Sequence, residues 1–326
     1  MDECRASELR VAIVGCGRMG RERARCARAL NARVQFVFDV DGARARELAA
    51  EHDAAVVEHP DQFFTAAIDA VFVCTAPGHR GQIEMSCMDH WTPFMVEKPL
   101  GTSAAQCARL MDRLRVEPLL TAVGYMNRYR STVQFARAIV RQANVIGAAA
   151  HWVCGRYRVP WWQEERLSGG PHNEQATHLF DLSRFLLGEV AQVEGITASP
   201  SRVSCTLRFE SGAVGTTLYS CDARNKDIGF RIFTEEGTLS LSGWDFRVVE
   251  NSITNMLPEY QPEDVFLLET RAFLEAVSTG NRNLVQCDFA DAFRTQQLMD
   301  AARESSAGRS AGTPAEQARW SMHAGA

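Results

Sequence analysis

Lysine is scarce in this chain, and one lysine stands in a suggestive position. Lys98 and Lys226 are the two lysines among 35 lysine and arginine residues, and Lys98 lies in the tripeptide Glu97-Lys98-Pro99. An arginine stays charged near neutrality, whereas a compact ammonium can lose its proton when it is buried. Lys98 is therefore a candidate for proton or alkoxide chemistry. The alternative is a lysine retained by chance on a surface loop.

A second candidate group lies in the segment S-G-G-P-H-N-E-Q-A-T-H-L-F-D-L-S-R-F-L-L-G. Its apolar residues recur at helical spacing, Asn173 is a possible N-cap, and Gly188 suits the end of the helix. Glu174, His178 and Asp181 then share one helical face. Histidine is the usual general base near neutral pH, so His178 is a catalytic candidate. The alternative is a capped helix with a solvated acidic face.

The N-terminal segment contains a dinucleotide-binding pattern. An apolar strand-like run opens into Gly15, Gly17 and Gly20, and an Ala- and Arg-rich helical run follows. The first glycine allows a tight turn, the second admits a pyrophosphate, and the third lets the helix pack closely on the strand. The helix N-terminus presents free N–H groups to the phosphates, so we expect Arg18 and Met19 to contact the cofactor as well.

An acidic residue indicates which cofactor this pattern binds. A second strand-like run, Val34 to Phe38, ends at Asp39, and the carboxylate is placed to accept hydrogen bonds from the adenosine ribose. A carboxylate at this position favours NAD and repels the extra phosphate of NADP. Arg44 and Arg46 lie close enough in sequence to keep NADP as the less favoured alternative.

Strands and helices alternate through the first ~125 residues, which predicts an α/β fold with an open parallel sheet. In such sheets ligands bind beyond the carboxyl ends of the strands. Gly15, Asp39, Thr75, Lys98 and Tyr125 each follow a strand-like run, so we expect them to share one rim. From this rim we predict these further cofactor-binding residues: Thr75, Ala76, Pro77, Glu97 and Lys98.

Composition limits the location and the partners. The chain has no apolar run of the roughly 20 residues that span a bilayer and no signal-peptide core. Its net charge is −5 without a basic block, so we expect neither nucleic acid nor membrane as a partner. The ten cysteines contain no C-x-x-C and predict reduced thiols in a cytoplasmic protein. We expect the tail after Ala307 to be mobile.

Taken together, these motifs resemble the Gfo/Idh/MocA family, which comprises glucose-fructose oxidoreductases, inositol dehydrogenases and their relatives. The resemblance rests on V-G-C-G-R-M-G, Asp39, E-K-P and S-G-G-…-H-L-F-D-L-x-R-F-L-L-G. It continues through L-R-F-E-S-G-A-V-G-T, E-E-G-T-L-S-L and F-L-L-E-T-R-A-F-L-E-A-V, and so covers nearly the whole chain.

The resemblance implies a two-domain architecture. It implies an N-terminal Rossmann domain, which we assign to residues 1–124, and a C-terminal α+β domain at 125–326 with a large, mostly antiparallel sheet. In this family that sheet often forms the subunit interface, so a homodimer or homotetramer is expected. The resemblance also implies a cis peptide before Pro99.

The same resemblance assigns roles to individual residues. Lys98 matches the catalytic lysine of the family and His178 its catalytic histidine, while Glu174 stands where relatives usually have aspartate. A second departure follows Pro77, because the common pattern P-x-x-H is replaced by Pro77-Gly78-His79-Arg80. We therefore assign no role to His79.

The implied reaction is reversible hydride transfer between NAD and a secondary alcohol of a sugar, a polyol or a related metabolite. His178 takes the hydroxyl proton, and Lys98 stabilises the alkoxide that develops. Glu174 or Asp181 orients the imidazole or binds a second substrate hydroxyl.

Five residues are predicted to contact the substrate, and for some of them a purely structural role is an open alternative. Trp161 and Trp162 can stack on a sugar ring, although adjacent aromatic residues more often pack in a core or an interface. Arg128 can contact substrate or form an ion pair, and Lys226 is left unassigned. The predicted substrate-binding residues are Tyr125, Asn127, Trp161, Trp162 and Asp181.

A metal site is not expected. His172, Glu174 and His178 lie close in sequence but lack the spacing of the common zinc signatures, and a cationic Lys98 beside them would repel a divalent ion.

Two other function classes remain open. Some relatives keep NAD bound and act as glycosidases or epimerase-like enzymes without net redox change. A regulatory protein that binds NAD and has lost catalysis is the other alternative, against which the intact Lys98 and His178 count.

Overall fold

The structure is a computed structural model that describes residues 8–307. Cys4 and the tail predicted to be mobile after Ala307 lie outside the described residues. Across the described part of the chain, each helix is too short or too polar to span a bilayer.

The first half contains a six-stranded parallel sheet with the order β3-β2-β1-β4-β5-β6. Its two inner strands β1 and β4 are neighbours, and the chain crosses from one side of the sheet to the other between them. Ligands of open α/β sheets bind at such a switch point. The elements are β1 (Arg10–Val14), α1 (Arg18–Ala29), β2 (Arg33–Phe38), α2 (Gly42–His52), β3 (Ala55–Val56), β4 (Ala70–Val73), α3 (Gln82–Asp89), β5 (Phe94–Val96), α4 (Ala104–Val116) and β6 (Thr121–Val123).

Buried apolar runs explain why these strands form the centre of the sheet. All residues of β4, β5 and β6 are buried, as are four of the five residues of β1. Strands covered by helices on both faces need such continuous apolar sequence rather than alternation. Each face of the sheet carries its own apolar cluster.

The second half contains a seven-stranded sheet with the order β13-β12-β11-β7-β10-β9-β8. Among the described strands of this second sheet, only β7 and β10 pair in parallel, so the sheet is mostly antiparallel, as predicted. The elements are α5 (Ser131–Val140), β7 (Val145–Val153), α6 (Glu165–Ser168), α7 (Gly170–Leu187), β8 (Val190–Ser199), β9 (Arg202–Phe209), β10 (Val214–Ser220), β11 (Asp227–Thr234), β12 (Gly237–Ser242), β13 (Arg247–Asn251), α8 (Val265–Thr279) and α9 (Phe289–Ala307).

Helix α7 carries Glu174 and His178 and lies in the interior. Every residue from 173 to 187 is buried, so the alternative of a solvated acidic face is wrong. The predicted N-cap is also wrong, because the helix begins at Gly170 and Asn173 instead donates to the carbonyl oxygens of Gly101 and Ser168. Gly188 ends the helix, as predicted, and adopts φ +94° and ψ −171°, a conformation that favours glycine.

The last two helices return to the first sheet. The ring of Phe273 in α8 meets that of Phe72 edge-on at 5.6 Å, and Asp300 in α9 accepts a hydrogen bond from the backbone N–H of Ala104 at 2.6 Å. Helices α8 and α9 therefore pack against the first sheet, and α9 also contributes to the apolar cluster of the second half. The boundary between residues 124 and 125 stays a prediction.

Candidate active site

The glycine turn has the geometry that a diphosphate requires. Gly15 adopts φ +89°, and a Cβ on Gly20 would lie 2.0 Å from the carbonyl oxygen of Gly15, so side chains are excluded at both positions. A Cβ on Gly17 would meet no atom within 4 Å, which leaves its backbone open to a ligand. Helix α1 starts at Arg18 without a side-chain cap, so its first N–H groups are free.

Asp39 lies beside this turn at the end of β2. Its carboxylate accepts hydrogen bonds from the backbone N–H of Cys16 at 2.7 Å and of Asp41 at 2.8 Å. Across the turn, the hydroxyl of Thr75 is buried and has no hydrogen-bond partner among the described residues. An open phosphate cradle, an adjacent carboxylate and an unpartnered hydroxyl fit a dinucleotide. Arg44 pairs with Asp41 at 3.2 Å, which leaves its guanidinium partly neutralised.

Lys98 is joined to helix α7 through Glu174. The Lys98–Pro99 peptide is cis, as the resemblance implied. The Nζ of Lys98 donates to Oε1 of Glu174 at 2.5 Å and to its carbonyl oxygen at 2.9 Å. The other carboxylate oxygen, Oε2, accepts from the indole N–H of Trp162 at 3.0 Å. The Lys98 side chain is only 15% exposed, so the surface-loop alternative is wrong.

His178 lies one helical turn after Glu174 and is almost completely buried. Its ring stacks on that of Trp152 at 5.1 Å and meets the ring of Tyr125 edge-on at 6.3 Å. Burial lowers the pKa of His178 well below its usual value, and the positive charges of Lys98 and Arg130 lower it further. The imidazole is therefore neutral near pH 7.

A cavity of about 570 Å³ connects the glycine turn with this pair. Both halves of the chain line it, so Lys98 after β5 and His178 on α7 face the same space. The predicted site residues that line it are Gly17, Arg18, Met19, Thr75, Ala76, Pro77, Glu97, Lys98, Trp161, Trp162, Glu174 and His178. Gly15, Gly20 and Asp39 lie outside the lining and shape or flank the turn.

Comparisons with known proteins agree with this geometry. The Gfo/Idh/MocA family model, described as an oxidoreductase family with an NAD-binding Rossmann fold, matches residues 9–125, and the model of the Gfo/Idh/MocA C-terminal domain matches residues 133–240. The chain is 32% identical to inositol 2-dehydrogenase 1 of Saccharopolyspora erythraea over 72% of its own length and 74% of that protein. The chain belongs to the Gfo/Idh/MocA family. It is accordingly an NAD-dependent oxidoreductase with the two predicted folds.

Two further similarities cover more of the chain at lower identity. The scyllo-inositol 2-dehydrogenase (NAD(+)) of Bacillus subtilis is 25% identical over 85% of this chain and 89% of its own. Levoglucosan dehydrogenase, solved in complex with NADH and L-sorbose, superposes with a TM-score of 0.80 at 18% identity and covers 92% of this chain and 97% of its own. At that identity the superposition shows the shared fold alone.

Three residues predicted to contact substrate lie outside the cavity, and this corrects the prediction. Asp181 receives a two-pronged ion pair from Arg128, with N–O distances of 2.6 to 3.1 Å, and both side chains are buried. Asn127 accepts from Nε of Arg130 at 2.9 Å. The carboxylate of Asp181 and Oδ1 of Asn127 are thus held by partners in the protein interior, whereas Nδ2 of Asn127 is buried without a hydrogen-bond partner among the described residues.

Tyr125 is the third of these residues. Its hydroxyl is hydrogen-bonded to Oγ1 of Thr177 at 2.7 Å, and the side chain is 1% exposed. Its ring packs edge-on against the ring of His178 and does not line the cavity. Tyr125 therefore holds the histidine in place from within the core.

Arg80 is a site residue to which no role was assigned from the sequence. It stands at the position of the family's P-x-x-H histidine, and its guanidinium donates to the carbonyl oxygens of Glu97 and Pro99 and, at 2.9 Å, of Thr75. Arg80 thus joins the loop after β4 to the loop that carries Lys98. The departure from the family pattern was its only signal in the sequence, while His79 is exposed.

Trp244 and Phe266 also line the cavity and were missed. Trp244 comes from the turn between β12 and β13, and the Nζ of Lys226 lies 4.5 Å above its ring. Phe266 opens the run F-L-L-E-T-R-A-F-L-E-A-V, and Trp244 follows E-E-G-T-L-S-L by three residues, but neither pattern assigned a site role to its aromatic residue. Lys226 is therefore placed beside a wall of the cavity, on an exposed stretch.

The residues considered for a metal do not converge. Glu174 uses its carboxylate on Lys98 and Trp162, and the His172 ring packs against Phe180 and Tyr219 at 5.7 Å from each. Within residues 8–307, a single group brings three possible ligand atoms together, namely those of Glu22, Cys26 and Asp264. Nη2 of Arg25 donates to both carboxylates there, which makes it an ion-pair cluster.

Proposed function

We propose that this enzyme is a dehydrogenase that oxidises a secondary alcohol of a sugar, a polyol or a related metabolite, reversibly and with NAD. The observation that carries the proposal is the convergence of Lys98 and His178 on one cavity that begins at the glycine turn. When bound, NAD supplies the hydride acceptor at its nicotinamide ring.

Lys98 is placed to hold the reacting oxygen. An ammonium has three N–H groups, and two of those of Lys98 are bonded to Glu174. One N–H is left for a substrate oxygen. A fixed positive charge beside a developing alkoxide is worth about 3 kcal/mol of barrier, the scale measured for single oxyanion donors.

His178 is the proposed base that takes the hydroxyl proton. Its lowered pKa keeps the ring neutral, and Trp152 and Tyr125 fix its plane. A neutral, oriented imidazole accepts a proton without first losing one. In the reverse direction the same ring returns the proton to a carbonyl oxygen.

The names of the relatives support the substrate class. Two of them are inositol dehydrogenases, and the similar levoglucosan dehydrogenase was solved with L-sorbose. The cavity of this chain offers Trp161 as a partly buried aromatic wall, which suits the C–H face of a ring. Glu174 has both carboxylate oxygens engaged, so we assign it to Lys98 rather than to the substrate.

The test is an oxidation assay. Purified enzyme is incubated with NAD or with NADP and a panel of inositols, sugars and amino sugars, and the absorbance of reduced nicotinamide is followed. We expect turnover with at least one cyclic polyol or sugar and a preference for NAD. Turnover of a substrate without net NADH, together with NAD that is released only on denaturation, would instead favour the glycosidase or epimerase class. NAD binding without any turnover would favour a regulatory protein.

We also propose that the protein is a cytoplasmic homo-oligomer without a nucleic-acid or membrane partner. The nine cysteines of the described residues are all free, which suits a reducing compartment. The face of the second sheet that points away from α7 exposes Val214, Leu218 and Phe233 by 53%, 49% and 36%. Exposed apolar groups of this kind favour a second copy of the chain as the partner.

A further inference from the structure

Lys98 does not fix its own position. Its side chain is long and flexible, and the two bonds that hold it both end on Glu174. The bond to the carbonyl oxygen is anchored by helix α7. The bond to Oε1 depends on the rotamer of the Glu174 side chain, which needs a constraint of its own.

Trp162 provides that constraint. Its indole N–H donates to Oε2 of Glu174 at 3.0 Å, and the side chain is 2% exposed. The ring packs against Tyr157 at 5.8 Å, and the backbone N–H of Trp162 bonds to the carbonyl of Val159 in a short 3-10 turn, Pro160–Gln163. The indole is thus held from both its ring and its backbone.

The length of Glu174 matters to this arrangement. The carboxylate contacts Lys98 with one oxygen and Trp162 with the other, so it spans the distance between them. An aspartate on the same helix would be one methylene shorter. The glutamate is therefore long enough to reach Lys98 and the indole of Trp162 together.

We propose that Trp162 is a positioning residue that fixes Lys98 through Glu174. The inference rests on the proposed function in one respect, namely that Lys98 meets the substrate oxygen. Trp162 lines the cavity with its ring edge, but its contribution is the N–H that selects one rotamer of Glu174. With that rotamer set, the free N–H of Lys98 is directed at a single substrate oxygen.

The scarcity of lysine permits a test that needs no substrate. Trace acetylation with acetic anhydride, followed by mass spectrometry, measures the reactivity of Lys98, and Lys226 serves as the internal standard in the same molecule. In Glu174→Gln the ion pair is lost, and we expect the Lys98/Lys226 labelling ratio to rise roughly 10-fold. In Trp162→Phe the glutamate leaves its rotamer for part of the time, and the ratio should rise about 3-fold.

The double variant Trp162→Phe/Glu174→Gln separates a positioning role from greater access. Because Trp162 acts through Glu174, the double variant should label no faster than Glu174→Gln alone. The matched control is Trp161→Phe, which alters the same cavity wall but makes no hydrogen bond to Glu174 in the described residues. Any effect of Trp161→Phe should persist unchanged in the Glu174→Gln background.

Two results would overturn the inference. One is a Lys98/Lys226 labelling ratio in Trp162→Phe that equals the wild-type ratio, although circular dichroism and the unfolding midpoint show that the variant has a native fold. The other is a rise in the double variant equal to the product of the single effects. Neither depends on turnover, whereas the proposed function fails if Lys98→Ala keeps full activity, so the two failures are distinguishable.

Discussion

The cavity has two walls that are built in different ways. The dinucleotide wall depends on backbone shape: Gly17 and the uncapped start of α1 present N–H groups in a turn that Gly15 and Gly20 shape. The catalytic wall consists of side chains, in which Lys98, Glu174 and Trp162 hold one another across 76 and 12 residues of sequence. In the proposed function the first wall binds NAD and the second reacts with the substrate, so substitutions should separate the two properties.

The largest expected effect is on the catalytic wall. Lys98→Ala removes the charge that stabilises the alkoxide, and we expect turnover to fall by about 10²- to 10⁴-fold, the range of general acid–base groups. The dissociation constant for NADH, measured by fluorescence titration, should stay within about 2-fold because the glycine turn is untouched. Loss of NADH binding in this variant would show that the two walls are not separable.

The converse substitution is on the dinucleotide wall. A methyl group at Gly20 would lie 2.0 Å from the carbonyl of Gly15, so Gly20→Ala must distort the turn. We expect NAD to bind roughly 100-fold more weakly, which is about 2.7 kcal/mol, together with a lower unfolding midpoint. Gly17→Ala is the matched control: its methyl meets open space, so it should weaken NAD binding with little change in stability.

Arg80 joins the two walls, and its removal should affect both moderately. Arg80→Met leaves three buried carbonyl oxygens without their donor. The free energy of unfolding, measured in urea, should fall by about 3 kcal/mol or more, since each unsatisfied buried group costs about 1 to 3 kcal/mol. Arg115→Met, at an exposed ion pair on α4, should change stability by less than about 0.5 kcal/mol. Equal free energies of unfolding for the two variants would show that Arg80 does not hold the two loops together.

The smallest effect concerns pH. Burial lowers the pKa of His172 to about 4 and that of His178 well below its usual value. Between pH 6.5 and 5 the unfolded chain binds protons that the folded chain does not, so stability falls as pH falls. Each histidine contributes a slope of up to about 1.4 kcal/mol per pH unit. His172→Phe should flatten the slope of urea stability over this window, and an unchanged slope would contradict the burial of a neutral ring.

The two walls also differ in how far the sequence could predict them. The glycine turn, Asp39 and the parallel sheet follow from local spacing. The scarcity of lysine and the helical spacing made Lys98 and His178 candidates, and the family resemblance supplied their matched roles and the second sheet. Asp181, Asn127 and Tyr125 were predicted to contact substrate because the sequence does not show their partners: an ion pair of Arg128 was left open without a partner, and Arg130 and Thr177 were not considered. Asp181 lies on the same helical face as His178, but its carboxylate pairs with the buried Arg128 and does not reach the cavity.

The residues missed in the sequence show the same limit. Trp244 reaches the cavity from a turn of the second sheet, and no motif assigned it a role. Trp162 was predicted to contact substrate, whereas its indole N–H is used on Glu174. The hydrogen bond of the Trp162 indole depends on the position of helix α7, and the local sequence around Trp162 does not reveal that position.

The central claim is that Lys98 and His178 act on one oxygen in one transition state. Turnover of Lys98→Ala, His178→Ala and the double variant, measured with the best substrate from the oxidation panel, tests it most directly. If both groups serve the same oxygen, the double variant should be little slower than the slower single variant, as in other catalytic groups that work as a unit. Losses that multiply would contradict it, because independent effects would mean that the two residues act at separate places.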